Sequence, residues 1–263
     1  MNDAVLKIDL SEPFEHLPHA PIVEAVIHWQ ARAEKKLDPD AFLAQLKEKL
    51  KDREPDYQTP QRQQEVNVGA EIGPDEASLR QRHTWHGYRF ESADKQYVAQ
   101  FTRNGFVFSR LKPYEDWEKF EAEAKRLWSI YRELAEPSEV QRLGVRFINV
   151  LSPVEPNRLA ELLAVPPRSP DGFTLPLKGF MHQSTFEIPG HPYNLKVIQT
   201  IQPAGVSEQG SYNLIFDLDV LTTGPTSFDD VDNRLLQMQW IKNRAFFSFF
   251  KPDAIAKFRE QAP

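Results

Sequence analysis

Six of the 21 prolines fall within residues 152–176: Pro153, Pro156, Pro166, Pro167, Pro170 and Pro176. Each lacks a backbone N–H and fixes φ, so a stretch this dense in proline is excluded from being a regular strand or a long helix. It reads as a connector with room for one short helix over 157–164. The chain then divides into 1–151, a Pro-rich connector at 152–176, and 177–263. These are two α+β halves or one continuous domain.

Before the connector, 22–31 has the pattern of a strand. Asp38 followed by Pro39 caps a helix whose apolar face carries Phe42, Leu43, Leu46 and Leu50. Residues 64–112 alternate in strand fashion. Within them Asn104-Gly105 suits the two positive φ angles of a type I′ turn, which sets Arg103 opposite Phe106, Phe101 opposite Phe108 and Val98 opposite Leu111. Trp117, Phe120, Ala124, Leu127, Tyr131 and Leu134 recur at spacings of three and four, one stripe of a long helix. A strand at 140–151 precedes the connector, and strands at 178–188, 194–202 and 212–221 follow it. A last long helix starts near Asp229-Asp230, turns Val231, Leu235, Met238, Ala245 and Phe249 inward, and breaks at Pro252. Asp253 is placed to cap a final short helix. Runs of adjacent strands outnumber strand–helix alternations, so the class is α+β. The expected architecture is one or more antiparallel sheets with long helices packed on one face, in two similar strand–helix–strands–helix halves.

Composition narrows the chemistry. The chain has no cysteine, which removes disulfides, thiol nucleophiles and Cys-based metal sites together. Its longest aromatic-rich apolar stretch, 245–250, is far short of the roughly 20 residues that span a bilayer. The first residues lack a basic region leading into an apolar run, so a cytoplasmic protein that does not enter membranes is expected. P-loop, dinucleotide-binding, nucleophile-elbow and zincin signatures are absent, and no cofactor is expected.

Three groups of residues carry candidate chemistry. Residues 79–112 hold seven basic side chains against Glu91 and Asp94, a net of +5 in a chain whose formal charge is −6. Here Arg80, Arg82, Trp85, His86, Tyr88, Arg89 and Arg103 interleave cations and aromatics. On a regular strand Arg80, Arg82, His86 and Tyr88 share one face, while Trp85 and Arg89 share the other. Arg for phosphates and rings for bases is a recipe for single-strand binding, but half-buried strands also put aromatics inward and Arg outward. Asp217 and Asp219, at i,i+2 on a strand, point to one side as a divalent-cation pair would. The apolar residues beside them, Phe216, Leu218 and Val220, mark them equally as the outer face of an ordinary strand. Arg142 and Arg146 share a face of the 140–151 strand, and Glu24 and His28 share one of the 22–31 strand. If those strands are neighbours, Glu24 and Arg146 pair within the sheet, as a structural ion pair or the lining of a ligand pocket. His83 and His86, at i,i+3, face opposite sides of a strand and make a poor metal site.

Pro21-Ile22-Val23-Glu24-Ala25-Val26, then Arg142-Leu143-Gly144-Val145-Arg146-Phe147-Ile148-Asn149, then Phe216-Asp217-Leu218-Asp219-Val220, and a terminal helix ending in Phe-rich sequence resemble a family of sporadically distributed, uncharacterised bacterial proteins of similar length. That family's last helix often carries a Leu-His-acid step where this chain has Met238-Gln239-Trp240. No activity comes with the resemblance. Its patchy distribution is typical of genes that travel with mobile elements, toxin–antitoxin pairs or phage-defence loci.

The reading that gathers these features is a non-catalytic binding protein whose partner is a protein, a second copy, an anionic ligand or a nucleic acid. The Phe-rich end of the last helix is a candidate for a partner or dimer interface. A metal-dependent enzyme acting on nucleic acid or nucleotides through Asp217 and Asp219 is one alternative. A small-ligand pocket between sheet and helices, using Glu24, Arg142 and Arg146, is another.

Overall fold

The computed structural model describes residues 5–58, 60–72, 77–173, 175–204 and 211–259, with side chains described except over 66–83. Strand β1 (Ile22–Gln30) leads into helix α1 (Pro39–Leu50), then β2 (Gln61–Ile72), β3 (Ala77–Glu91), β4 (Tyr97–Thr102), β5 (Gly105–Leu111) and α2 (Trp117–Ala135). There follow β6 (Arg142–Val154), α3 (Leu159–Leu162), β7 (Met181–Glu187), β8 (Tyr193–Pro203), β9 (Tyr212–Thr222), α4 (Val231–Phe249) and α5 (Pro252–Arg259).

All nine described strands join one sheet in the order β2-β3-β4-β5-β1-β6-β9-β8-β7, and every neighbouring pair is antiparallel. This corrects the expected architecture of sheets under long helices in two similar halves. The frame is a single nine-stranded antiparallel sheet, and the five described helices are short, none exceeding 19 residues. The physical cause is legible at the helix ends. Glu136 takes a left-handed conformation (φ 47°) that stops α2, and Pro252 lies just beyond the end of α4. The α3 segment, beset by prolines, is limited to 4 residues. The strands instead find partners across the chain. β1 and β6 pair at the sheet centre, which covers backbone edges that separate sheets would leave open.

The core lies on one sheet face. Ile27, Trp29, Phe106, Phe108, Val145, Phe147, Phe216 and Leu218 alternate inward and are all essentially buried. Trp29 stacks on Trp128 of α2, Phe108 on Phe120 of α2, and Phe216 packs on Phe246 of α4. Helix α1 is capped as its sequence predicts, with the Asp38 carboxylate accepting from Ala41 N at 2.9 Å.

Three local expectations shift. The β4–β5 turn is Arg103-Asn104, with Thr102 opposite Gly105, Phe101 opposite Phe106 and Val98 opposite Ser109. Only Gly105 has a positive φ there (+147°). A Cβ on it would lie 2.0 Å from the Trp29 carbonyl oxygen, so the glycine serves the close approach of β1 as well as the turn. The start of the connector is strand, since β6 runs to Val154 through a register irregularity after Leu151 that accommodates Pro153. Asp253 sits inside α5, whose first residue is Pro252. Among the described residues, no helix is long and apolar enough to cross a membrane.

Candidate functional site

The sheet face opposite the core gathers the polar candidates. β1 and β6 are neighbours, but in their register Glu24 faces Ile148, and Arg146 faces Val26. Glu24 and Arg146 are therefore not the ion pair of the sheet. Arg146 grips Asp217 of β9 instead, donating from Nε to Oδ1 at 2.9 Å and from Nη2 to Oδ2 at 2.6 Å. That hydrogen bond holds the guanidinium firmly protonated. Asp219 points the same way as Asp217, and burial pushes its carboxyl up while Arg146 and Arg142 pull it down. Phe216, Leu218 and Val220 are completely buried on the other side. Two carboxylates, one already held by arginine, do not make a cation cage. Among the described residues, no group of three or more His, Asp or Glu is placed to hold a metal ion. Arg142 lies opposite Gln30 at the far end of the pairing.

The basic–aromatic strand is laid out differently from a regular alternation. A register shift between Gln63 and Gln64, opposite Gly87 and Trp85, leaves His86 as the extra residue of β3. Faces before and after such a bulge exchange parity. Trp85 and Tyr88 thus come to the same, helix-bearing side with their rings 5.6 Å apart. Trp85 meets Phe42 of α1 edge-on, and the Tyr88 hydroxyl donates to the Pro39 carbonyl. Tyr88 is only 3% exposed, so it offers no ring for base stacking, contrary to the alternation of the sequence. Arg89 is bound to Glu91 and Gln61. Arg103 lies in the turn, and its Nε lacks a partner among the described residues. The Arg80, Arg82 and His83 side chains lie outside the described residues. His86 and Gln63 line a broad polar hollow of about 800 Å³ on the outer face with His28, Gln30 and Gln100.

A second, narrower cavity of about 210 Å³ opens on the core side, where the 14–22 segment, the start of α2, β6 and α4 converge. Its floor is Phe147, and Tyr114, Trp117, Phe14, Phe246 and Phe247 surround it. Lys242 enters from α4. It occupies the inward stripe with Leu235, Met238 and Ala245 and is only 9% exposed. Its amine donates to Asn243 Oδ1 and lies 3.9 Å from the Phe147 ring centroid. Burial alone pushes the amine down to about 7. Asn149 enters from β6, 1% exposed. Its Nδ2 donates to the Phe216 carbonyl at 3.0 Å, while its Oδ1 is buried without a partner among the described residues. Tyr114 packs edge-on against Phe147, and burial pushes its phenol well up. Asp116 positions this corner by capping α2 through Lys119 N at 2.7 Å.

The charged, histidine and strand-borne aromatic candidates singled out from sequence are thus split between the two faces and do not line this cavity, whereas Phe246 and Phe247 of the Phe-rich helix end do. Lys242 and Asn149 carried a signal that alternation could have exposed. Lys242 falls four residues after Met238 and three before Ala245 in an otherwise apolar stripe. Asn149 continues the inward series Leu143, Val145 and Phe147. A polar group on an inward position needs a partner or a ligand.

No protein-family model matches the chain, and no curated protein matches it.

Proposed function

We propose that this chain is a cytoplasmic small-ligand-binding protein whose site is the aromatic cavity at Lys242. The observation that carries the reading is Lys242 itself, a cavity-lining lysine on the buried stripe of α4 with no ion pair among the described residues. A lysine whose only task is solubility sits outside, and a structural buried lysine has a carboxylate. Beside it, Asn149 adds a second polar residue to the cavity lining. Aromatic walls with a few convergent polar groups are the common composition of ligand pockets, and the volume here is below the roughly 300–1,000 Å³ of drug-sized sites. The ligand is accordingly a small, ring-bearing molecule with one polar head group directed at Lys242.

A thermal-shift panel of benzoates, benzaldehydes and benzylamines tests this. At least one class is expected to raise Tm in proportion to RT ln(1 + [L]/Kd), and Lys242→Met is expected to abolish the shift. A panel without any shift, or a shift that persists in Lys242→Met, would overturn the assignment.

A further inference from the structure

We propose that Lys242 is the covalent attachment point for a carbonyl ligand, its amine condensing with an aldehyde or ketone carried on the ring seated in the cavity. This rests on the reading of the cavity as a ligand site and names the ligand's reactive group.

The geometry supplies what an imine-forming lysine requires. Lys242 is buried on a helix packed against the sheet, and its Nζ lies over the ring of Phe147, with which it lines the cavity. Its single described hydrogen bond goes to a neutral carboxamide oxygen, Asn243 Oδ1, so no carboxylate pins it as an ammonium. The charged and titratable groups around the same cavity are Glu15 and His16 on the N-terminal segment and Tyr114, Glu115, Asp116 and Glu118 at the start of α2; β6 contributes none. Glu15 is engaged by Arg259, Glu115 by Arg110 and Lys119, and Asp116 by the α2 cap. None of them offsets the burial of Lys242. The Phe147 ring favours the cation, but burial outweighs it. The result is an amine that is substantially unprotonated near neutrality, the state in which lysine is a nucleophile.

The step balances without an oxidant or a reductant. The Nζ lone pair attacks the carbonyl carbon and the C=O π pair moves to oxygen, which takes up a proton. The carbinolamine then expels that oxygen as water while nitrogen gives up its remaining protons, leaving C=N.

The test is benzaldehyde with cyanoborohydride, followed by peptide mass mapping of the full chain. The expected result is a benzyl adduct at Lys242 in large excess over surface lysines at neutral pH, suppressed by benzoate and absent in Lys242→Met. Lys242→Arg, which keeps a cation but cannot form the imine, should also be unlabelled while remaining folded by circular dichroism. Labelling confined to surface lysines, with the benzoate thermal shift still dependent on Lys242, would overturn the imine and leave the pocket reading standing. No preferential label and no Lys242-dependent shift would overturn both.

Discussion

The Lys242 amine sits 3.9 Å from the centroid of Phe147, a cation–π geometry at a position where burial has nonetheless pulled the group down to about 7. In the unfolded chain the amine returns to its ordinary value near 10.5. Between those two values the unfolded state binds more protons than the folded one, so this residue makes stability rise with pH from about 7 to about 10.5. Below about 7 its penalty is complete and constant. Lys242→Met is therefore expected to stabilise the protein at neutral pH by roughly 3–5 kcal/mol and to remove that part of the slope. Urea unfolding at several pH values above neutrality reads both. A variant with the same slope as the parent would show that Lys242 is not the group responsible.

The Arg146–Asp217 fork should behave asymmetrically. Asp217 keeps only 7% of its side-chain surface exposed, against 46% for Arg146. Removing Arg146 strands a buried carboxylate, whereas removing the acid leaves a guanidinium that water can reach. Arg146→Ala is expected to destabilise by about 1–3 kcal/mol, discounted for the solvent-exposed partner, and Asp217→Asn by less. Equal losses in chemical denaturation would contradict this ordering.

At Gly105, positive φ and the proximity of the Trp29 carbonyl act together. Because the atom in the way is backbone, no rotamer change relieves the clash. Gly105→Ala is expected to cost about 2–4 kcal/mol. A thermal midpoint within a degree or so of the parent would mean that β1 can retreat at little cost.

The Tyr131 hydroxyl donates to the Ala31 carbonyl at 2.7 Å inside the core. Tyr131→Phe keeps the ring packing on Trp128 but leaves that carbonyl without this donor, so a loss of about 1–2 kcal/mol is expected. The corresponding measurement is equilibrium unfolding followed by tryptophan fluorescence; a neutral result would show that the bond adds nothing net.

Local order was written plainly in this sequence. The six-residue stripe from Trp117 to Leu134 is the buried face of α2, and Asp38 caps α1. Pairing was not. Whether Phe101 meets Phe106 or Phe108 depends on which residues make the turn, and both registers keep the same rings inward. The shared face of Trp85 and Tyr88 was hidden because one extra residue at His86 reverses the alternation. Arg146 found Asp217, some 70 residues on, because β9 crosses to lie beside β6. The cavity was hidden for a related reason. Its polar anchors stand on β6 and α4, and only tertiary packing makes them neighbours.

The segment that walls this cavity on one side carries Glu12, Phe14 and Glu15. Trp240 donates to Glu12, Phe14 stacks on Phe247, and Arg259 forks onto Glu15, contacts that span 228–244 residues of chain. At roughly 5–20 residues per second of synthesis, about 10–50 s separate the emergence of this strap from that of its partners. The strap precedes α4 and α5 in the chain and cannot make these contacts until they arrive. A nascent chain halted short of α4 holds the strap and the centre of the sheet, but the cavity does not yet exist, because α4 supplies one of its walls.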